Sequence, residues 1–191
     1  MQFVKMQGAG NDYIYVDCFV EQPPADPSRT ARLISDRHFG VGGDGLVLIG
    51  PSAQADAAMR MFNADGSEAE MCGNAIRCVA KYLHDQGRVT QSPLTIETGR
   101  GNLTLELETC DGRVERVRVD MGEPLLEAAQ IPTTLPGSPV VSQPLNVAGT
   151  ALEVTCVSMG NPHCVVFVDD ITDDLVLGLG PRIEHDPHFP E

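Results

Sequence analysis

The residues best suited to chemistry in this chain stand in MCGNAIRC, residues 71 to 78. Cys72 and Gly73 come immediately ahead of a helical pattern in which Ile76, Val79, Ala80 and Leu83 recur on one face. A thiol at a helix N-terminus is biased towards thiolate by the free N–H groups of the first turn. Those same N–H groups can hold a carboxylate. Gly73 lets another group approach the backbone closely, and Asn74 adds a polar amide. A thiolate, a carboxylate cradle and amide side chains together suit an amino-acid substrate. The competing reading of Cys72 is a small buried hydrophobe, the usual fate of a free cysteine. Cys78, deeper in the same helix, reads as core.

Further polar candidates stand at strand ends: Asn11, Asn63 at the end of MRMFN, and Asn161. Any one of them could equally be a turn residue satisfying its own backbone. His163, in GNPHC, reads either as a hydrogen-bonded structural histidine or as a group that tunes a nearby thiol. Spacing alone does not choose. Cys18, Cys110, Cys156 and Cys164 lie in or beside strands and read as packing. The chain has no CxxC. Cys72 and Cys78 point roughly 240° apart around a helix, which excludes a metal site using both. Gly40, Gly42 and Gly45 of GVGGDG formally satisfy GxGxxG. A dinucleotide loop, however, follows a strand and opens a helix. Here a helical pattern precedes and the strand LVLIG follows, so the loop reads as a tight turn near a site. Pyridoxal chemistry needs a Schiff-base lysine. Lys5 and Lys81 alone are present, with no cofactor-like surroundings.

The elements that must position these groups follow from periodicity. FVKMQG and YIYVDCFV read as strands around a GAGND turn. A helix is expected from Ser28 as N-cap through RTARLISDRHF, with Ala31, Leu33, Ile34 and Phe39 inward. LVLIG and MRMFN are strands, the latter ending at the Asp65-Gly66 turn. The helix after Cys72 stops at Gly87. LTLELE and RVERVRVDMG form a hairpin around Asp111-Gly112. The next segment holds five prolines, Pro124, Pro132, Pro136, Pro139 and Pro144, which places a domain boundary near its start. ALEVTCVSM and CVVFVDD are strands flanking GNPH. An internal echo links the halves at an offset of 150: Gly10-Asn11 before YIYVD matches Gly160-Asn161 before VVFVD, and Asp36-Arg37-His38-Phe39 matches Asp186-Pro187-His188-Phe189. By that echo the chain holds one whole domain and the opening of a second. The counterpart of Cys72 is then expected near residue 222.

Composition bounds the partners. The 191 residues carry a formal net charge of −14, which repels nucleic acid and anionic membrane surfaces but leaves a zwitterionic small molecule open. MQFVKMQGAGND lacks the basic and apolar regions of a signal peptide, and no apolar run approaches the roughly 20 residues that span a bilayer. A cytoplasmic protein with reduced cysteines is expected.

FVKMQGAGNDYIYVD, RHFGVGGDG, FNADGSEAEMCGNAIRCVAKYL, and VSMGNPHCVVFVDD followed by LGPRIEHDPHFP together resemble diaminopimelate epimerases, from the N-terminus to the last residues. Proline racemases share the Cys-Gly opening of the helix but carry histidine in place of Asn74. The resemblance implies an α+β fold of two similar domains. Each is a curved, mostly antiparallel sheet wrapped around a central helix, with the active site in the cleft between them. The first domain spans 1–120; the second, 121–191, is incomplete. The implied reaction is LL to meso inversion at one α-carbon of diaminopimelate, in lysine and peptidoglycan precursor synthesis, without cofactor or metal. One thiolate takes the proton and a thiol on the other face delivers one. Cys72 matches the first of these. Asn11, Asn63, Gly73, Asn74 and Asn161 match substrate-binding positions, and His163 matches a residue that adjusts the cysteines. A homodimer is implied. Where some members place a substrate-contacting glutamine, this chain has Gly45, and no role is carried over. The second cysteine, with its helix, an asparagine and a Glu-Arg pair, is expected beyond Glu191, so the chain as given is expected to be inactive alone. The alternatives are a related amino-acid racemase, a non-catalytic ligand-binding fragment, and a thiol hydrolase using Cys72 with His38 or His163 as base.

Overall fold

A computed structural model describes residues 1–190. Backbone contacts divide the chain into two compact units, Met1–Met121 and a second beginning at Gly122.

The first unit opens with β1 (Val4–Gly8) and β2 (Asn11–Asp17), an antiparallel hairpin. Helix α1 (Pro27–Ser35) follows, then β3 (Gly45–Gly50), β4 (Ala57–Asn63) and the short β5 (Glu68–Ala69). Helix α2 (Gly73–Asp85) precedes β6 (Leu94–Thr98), β7 (Gly101–Cys110) and β8 (Arg113–Val119). The strands form one sheet in the order β1-β2-β3-β4-β6-β7-β8, with β5 paired to β4. Only β2/β3 and β4/β6 are parallel. Helix α2 touches both β1 and β8, the two ends of that order. The sheet therefore curls around α2.

The sequence explains which strands sit at the centre. In β2 and β3, YIYV and LVLI are apolar without alternation, as expected of strands covered on both faces. Tyr13, Tyr15, Val47 and Ile49 pack with Ile76, Val79, Ala80 and Leu83 of α2. Val16, Leu46 and Leu48 face the other way and pack with Ala31 of α1 and Phe62. The outer hairpin β7–β8 alternates instead, and turns at Asp111-Gly112, where both residues have positive φ.

Several expectations are corrected. Helix α1 is capped by Asp26, whose carboxylate accepts from Arg29 N–H at 2.9 Å, and not by Ser28. Pro27 pre-sets the first helical φ and fixes that start. The helix stops at Ser35, because Asp36 leaves helical geometry and its carboxylate accepts from the N–H groups of His38 and Phe39. Leu33 and Phe39, expected inward, are 62% and 96% exposed. The second strand ends at Asp17, before Cys18, where the Asp17 carboxylate accepts from Phe19 N–H. Cys110 does not pack; it is exposed beside the hairpin turn. The strand read as CVVFVDD ends at Val166, leaving Phe167 exposed. Strand β6, which periodicity did not single out, buries Leu94 and Ile96.

The second unit has β9 (Gln143–Val147), β10 (Thr150–Ser158) and β11 (Pro162–Val166), an antiparallel sheet in the order β11-β10-β9. A π-helical turn at Asp174–Leu179 leads into α3 (Gly180–Glu184). Its core gathers Ile131, Leu135, Val140, Leu145, Val147, Val154 and Cys156. The echo at offset 150 has a structural counterpart. The hairpin β1–β2 followed by α1 and the Asp36 turn parallels β10–β11 followed by α3 and the Asp186 turn. In both turns the aspartate carboxylate accepts from the N–H two residues on.

Candidate active site

Cys72 occupies the N-cap of α2 with extended backbone, φ −140° and ψ 118°, and its side chain makes no cap hydrogen bond. Its carbonyl accepts from Ile76 N–H at 3.0 Å, while its partly buried thiol packs against the core around α2. The helix stays fixed at its far end by Gly87, φ +68°. Gly87 and Arg88 donate back to His84 and Leu83 there, the paired bonds of a Schellman cap. The sequence thus holds both ends of the element that presents the thiol.

Two strand ends and the first turn of α2 bring three amides to the same unit. Asn74 Nδ2 donates to Asn11 Oδ1, and Asn11 Nδ2 donates to Asp44 Oδ2 at 3.2 Å. Arg77, one turn beyond Asn74, donates to Asn74 Oδ1 at 2.6 Å. This chain of donors fixes which way each amide faces. Asn63 Nδ2 donates to Ser67 Oγ at 3.0 Å across the turn after β4. Asp44 joins the two groups, since its N–H donates to Asp12 O and its carbonyl accepts from Ala64 N–H. Glycines make this closeness possible. A Cβ at Gly45 would fall 2.0 Å from Phe62 O, and one at Gly8 would fall 2.9 Å from Asn74 O. A Cβ at Gly73 would meet only Met121 atoms, at an ordinary 3.6 Å.

A charged layer lies behind the amides. Arg37 forks onto Asp12 and reaches Asp44, and Lys5 pairs with Asp12 at 2.9 Å. Arg37, then Lys5, hold the Asp12 carboxyl well below the usual carboxylate range. Burial pushes the Tyr13 phenol above its ordinary range, reinforced by the adjacent Cys72 thiol and by Asp44. Burial does the same for Tyr15, beside Cys78. Cys78 is buried in the core, as its helical position implied.

Cys72, Gly73, Asn74, Asn11 and Asn63 therefore all belong to the first unit. Asn161 and His163 belong to the second. They flank the β10–β11 turn, where Gly160 has φ +108° and Met159 N–H donates to Asn161 O. Both are exposed. Sequence reasoning missed Asp44, Asp12, Arg37 and Arg77 as parts of the site. Arg77 alone carried a local signal, its i+3 spacing from Asn74 on the helix. Among the described residues no group of three or more His, Cys, Asp or Glu could hold a metal.

Comparison with known proteins agrees with this geometry. A family model described as diaminopimelate epimerase matches residues 3–127. The diaminopimelate epimerase of Acetivibrio thermocellus is 51% identical over 191 residues, 100% of this chain and 68% of the relative. That of Pelotomaculum thermopropionicum is 53% identical, with the same coverage. Among solved structures, a probable proline racemase from Agrobacterium radiobacter K84 superposes with TM-score 0.55 at 18% identity, over 86% of this chain and 51% of the other. A predicted epimerase from Pseudomonas aeruginosa gives 0.56 at 15%, over 91% and 61%. These likenesses carry the fold: a mixed α+β architecture in which a curled sheet encloses a helix. With about half its residues identical along its whole length, the chain belongs to the diaminopimelate epimerase family, a family of isomerases.

Proposed function

We propose that the complete enzyme inverts one α-carbon of LL-2,6-diaminopimelate to the meso form without a cofactor, with Cys72 of this chain as one of two acid/base groups, and so serves lysine and peptidoglycan precursor synthesis. The observation that carries this reading is Cys72 at the N-cap of α2, its thiol uncommitted to capping, two residues before Asn74 of the Asn74–Asn11 amide pair. An α-proton beside a carboxylate is very weakly acidic, so abstraction needs donors around the carboxylate where negative charge develops. The free N–H groups at the start of α2, with Gly73 leaving room in front of them, suit that task. Asn11, Asn63 and Asn74 would hold the amino and carboxylate groups, their amides already oriented by Arg77, Asp44 and Ser67.

In the forward step the Cys72 thiolate takes the α-proton from one face. A second acid, supplied from the second domain, returns a proton to the opposite face. Two groups are needed because one cannot reach both faces of a bound carbon. Asn161 would bind substrate and His163 would tune the cysteines from the β10–β11 turn. The enzyme would act as a cytoplasmic homodimer.

The test is exchange of the α-proton with solvent deuterium in the complete enzyme. Cys72→Ala should abolish exchange from the face it serves. Exchange at the wild-type rate in that variant would reject the role given to Cys72.

A further inference from the structure

Cys156 and Cys164 face each other directly across β10 and β11. The Cys156 N–H donates to Val140 O at 3.0 Å, on the side of β10 away from β11. N–H and C=O of one strand residue point the same way, so Cys156 and Cys164 form a non-hydrogen-bonded pair. Such pairs have Cα atoms about 4.5 Å apart and the closer side chains of an antiparallel ladder. That separation falls inside the span a disulfide bridges, about 4.4 to 6.8 Å. Both side chains point to the same face, where Cys156 is 1% exposed and Cys164 is partly buried. Both also line one cavity of about 430 Å³ with Pro162, His163, Ile183 and Phe189. The offset-150 positions of the first unit, Met6 and Ile14, do not face each other, since Met6 pairs with Tyr13 and Ile14 with Lys5.

We propose that Cys156 and Cys164 are a modification site, a dithiol that small soluble disulfides convert to a cross-strand disulfide. Cys164 enters first, being the more accessible. Its thiolate attacks one sulfur of the reagent, the reagent's S–S bond breaks, and one reagent thiolate leaves and takes up a proton. Cys156 then gives up its proton and attacks the Cys164 sulfur, expelling the second reagent thiol. Two protein thiols lose two electrons to one cystine, and the reagent disulfide gains them as two thiols. Burial first, then the neighbouring Cys156 and Asp186, push the Cys164 thiol up to about 11. The first attack is therefore slow at neutral pH, which sets this pair apart from a low-pKa redox sensor. The closed bond would pin β10 to β11 beside the turn that carries Asn161 and His163.

Met159 lies between the two cysteines. Cyanogen bromide therefore cuts between them, into a fragment ending at Met159, whose single cysteine is Cys156, and one beginning at Gly160 that carries Cys164. The native chain would be treated with 2-hydroxyethyl disulfide, its remaining thiols alkylated, and then cleaved. The two fragments should stay joined until a reductant is added, with neither cysteine alkylated. In Cys156→Ser, Cys164 should instead retain the reagent as a mixed disulfide. Two results would overturn the proposal. One is separate fragments with both thiols alkylated while exposed Cys110 has reacted. The other is a stable adduct on Cys164 of the unsubstituted chain beside a free Cys156.

Discussion

Cys72 and Cys78 share helix α2 but not a fate. Cys72 is the N-cap, partly exposed, whereas Cys78 lies inside the core and its sulfur faces the backbone at Gly8. Cys78→Ala should cost stability on the order of 1–2 kcal/mol through the small cavity it leaves. Turnover of the complete enzyme should persist, measured by chemical denaturation and by proton exchange; loss of exchange with unchanged stability would contradict this division. A second residue-scale expectation concerns acid. Asp12 is held below the usual range by Arg37 and Lys5, so its contribution to folding is fully present above the unfolded value of about 4. It is lost as pH falls through the lower folded value. The stability difference between the native chain and Asp12→Asn should thus shrink steadily on acidification below about pH 4. A difference that stays constant over that range would show the pair to be dispensable. That Cys72 and Asn74 were candidates was legible because they sit at a helix start. That Asp12 and Asp44 stand behind them was not, since the Asp44 carboxylate accepts from Asn11 and Asp12, 33 and 32 residues away in the chain.

At the scale of elements, glycines decide how closely the site is assembled. Gly45 begins β3 opposite Asn63, and a side chain there would run into the Phe62 carbonyl. Gly45→Ala should destabilise the first unit by about 3 kcal/mol or more, read as a fall in Tm. Gly73→Ala meets only ordinary contacts, so its Tm should barely move. Its kcat/KM should nevertheless drop, because the methyl group would intrude where substrate approaches the helix start. An equal fall in Tm for both variants would remove the distinction. Element types were largely readable, since β2, β3, β4, α2 and the β7–β8 hairpin carry their own periodicity or turn residues. Helix α1 was read too long. Its apolar positions Leu33 and Phe39 suggested a continuing inward stripe, but local hydrogen bonds to the Asp36 carboxylate outcompeted the helix there.

At the scale of the whole molecule, both apolar clusters of the first unit draw only on residues before Met121. A fragment covering residues 1–121 should therefore fold on its own, with a single cooperative melt and protected amides in β2, β3 and α2. A broad, non-cooperative transition would show that it depends on the segment beginning at Gly122. The sequence by itself determined the family, the acidic character, the N-cap thiol and the duplicated order of hairpin and helix. Each of those is written in local spacing or in side-chain type, and neither needs a partner to be read. Only the tertiary structure decided that the sheet curls until β1 and β8 both meet α2, that Arg77 and Asp44 lock the amides, and that Cys156 faces Cys164 rather than merely packing. Those facts depend on strand register and on contacts between residues far apart in the chain. A shift of one residue in the β10–β11 register would turn one of the two cysteines to the other face.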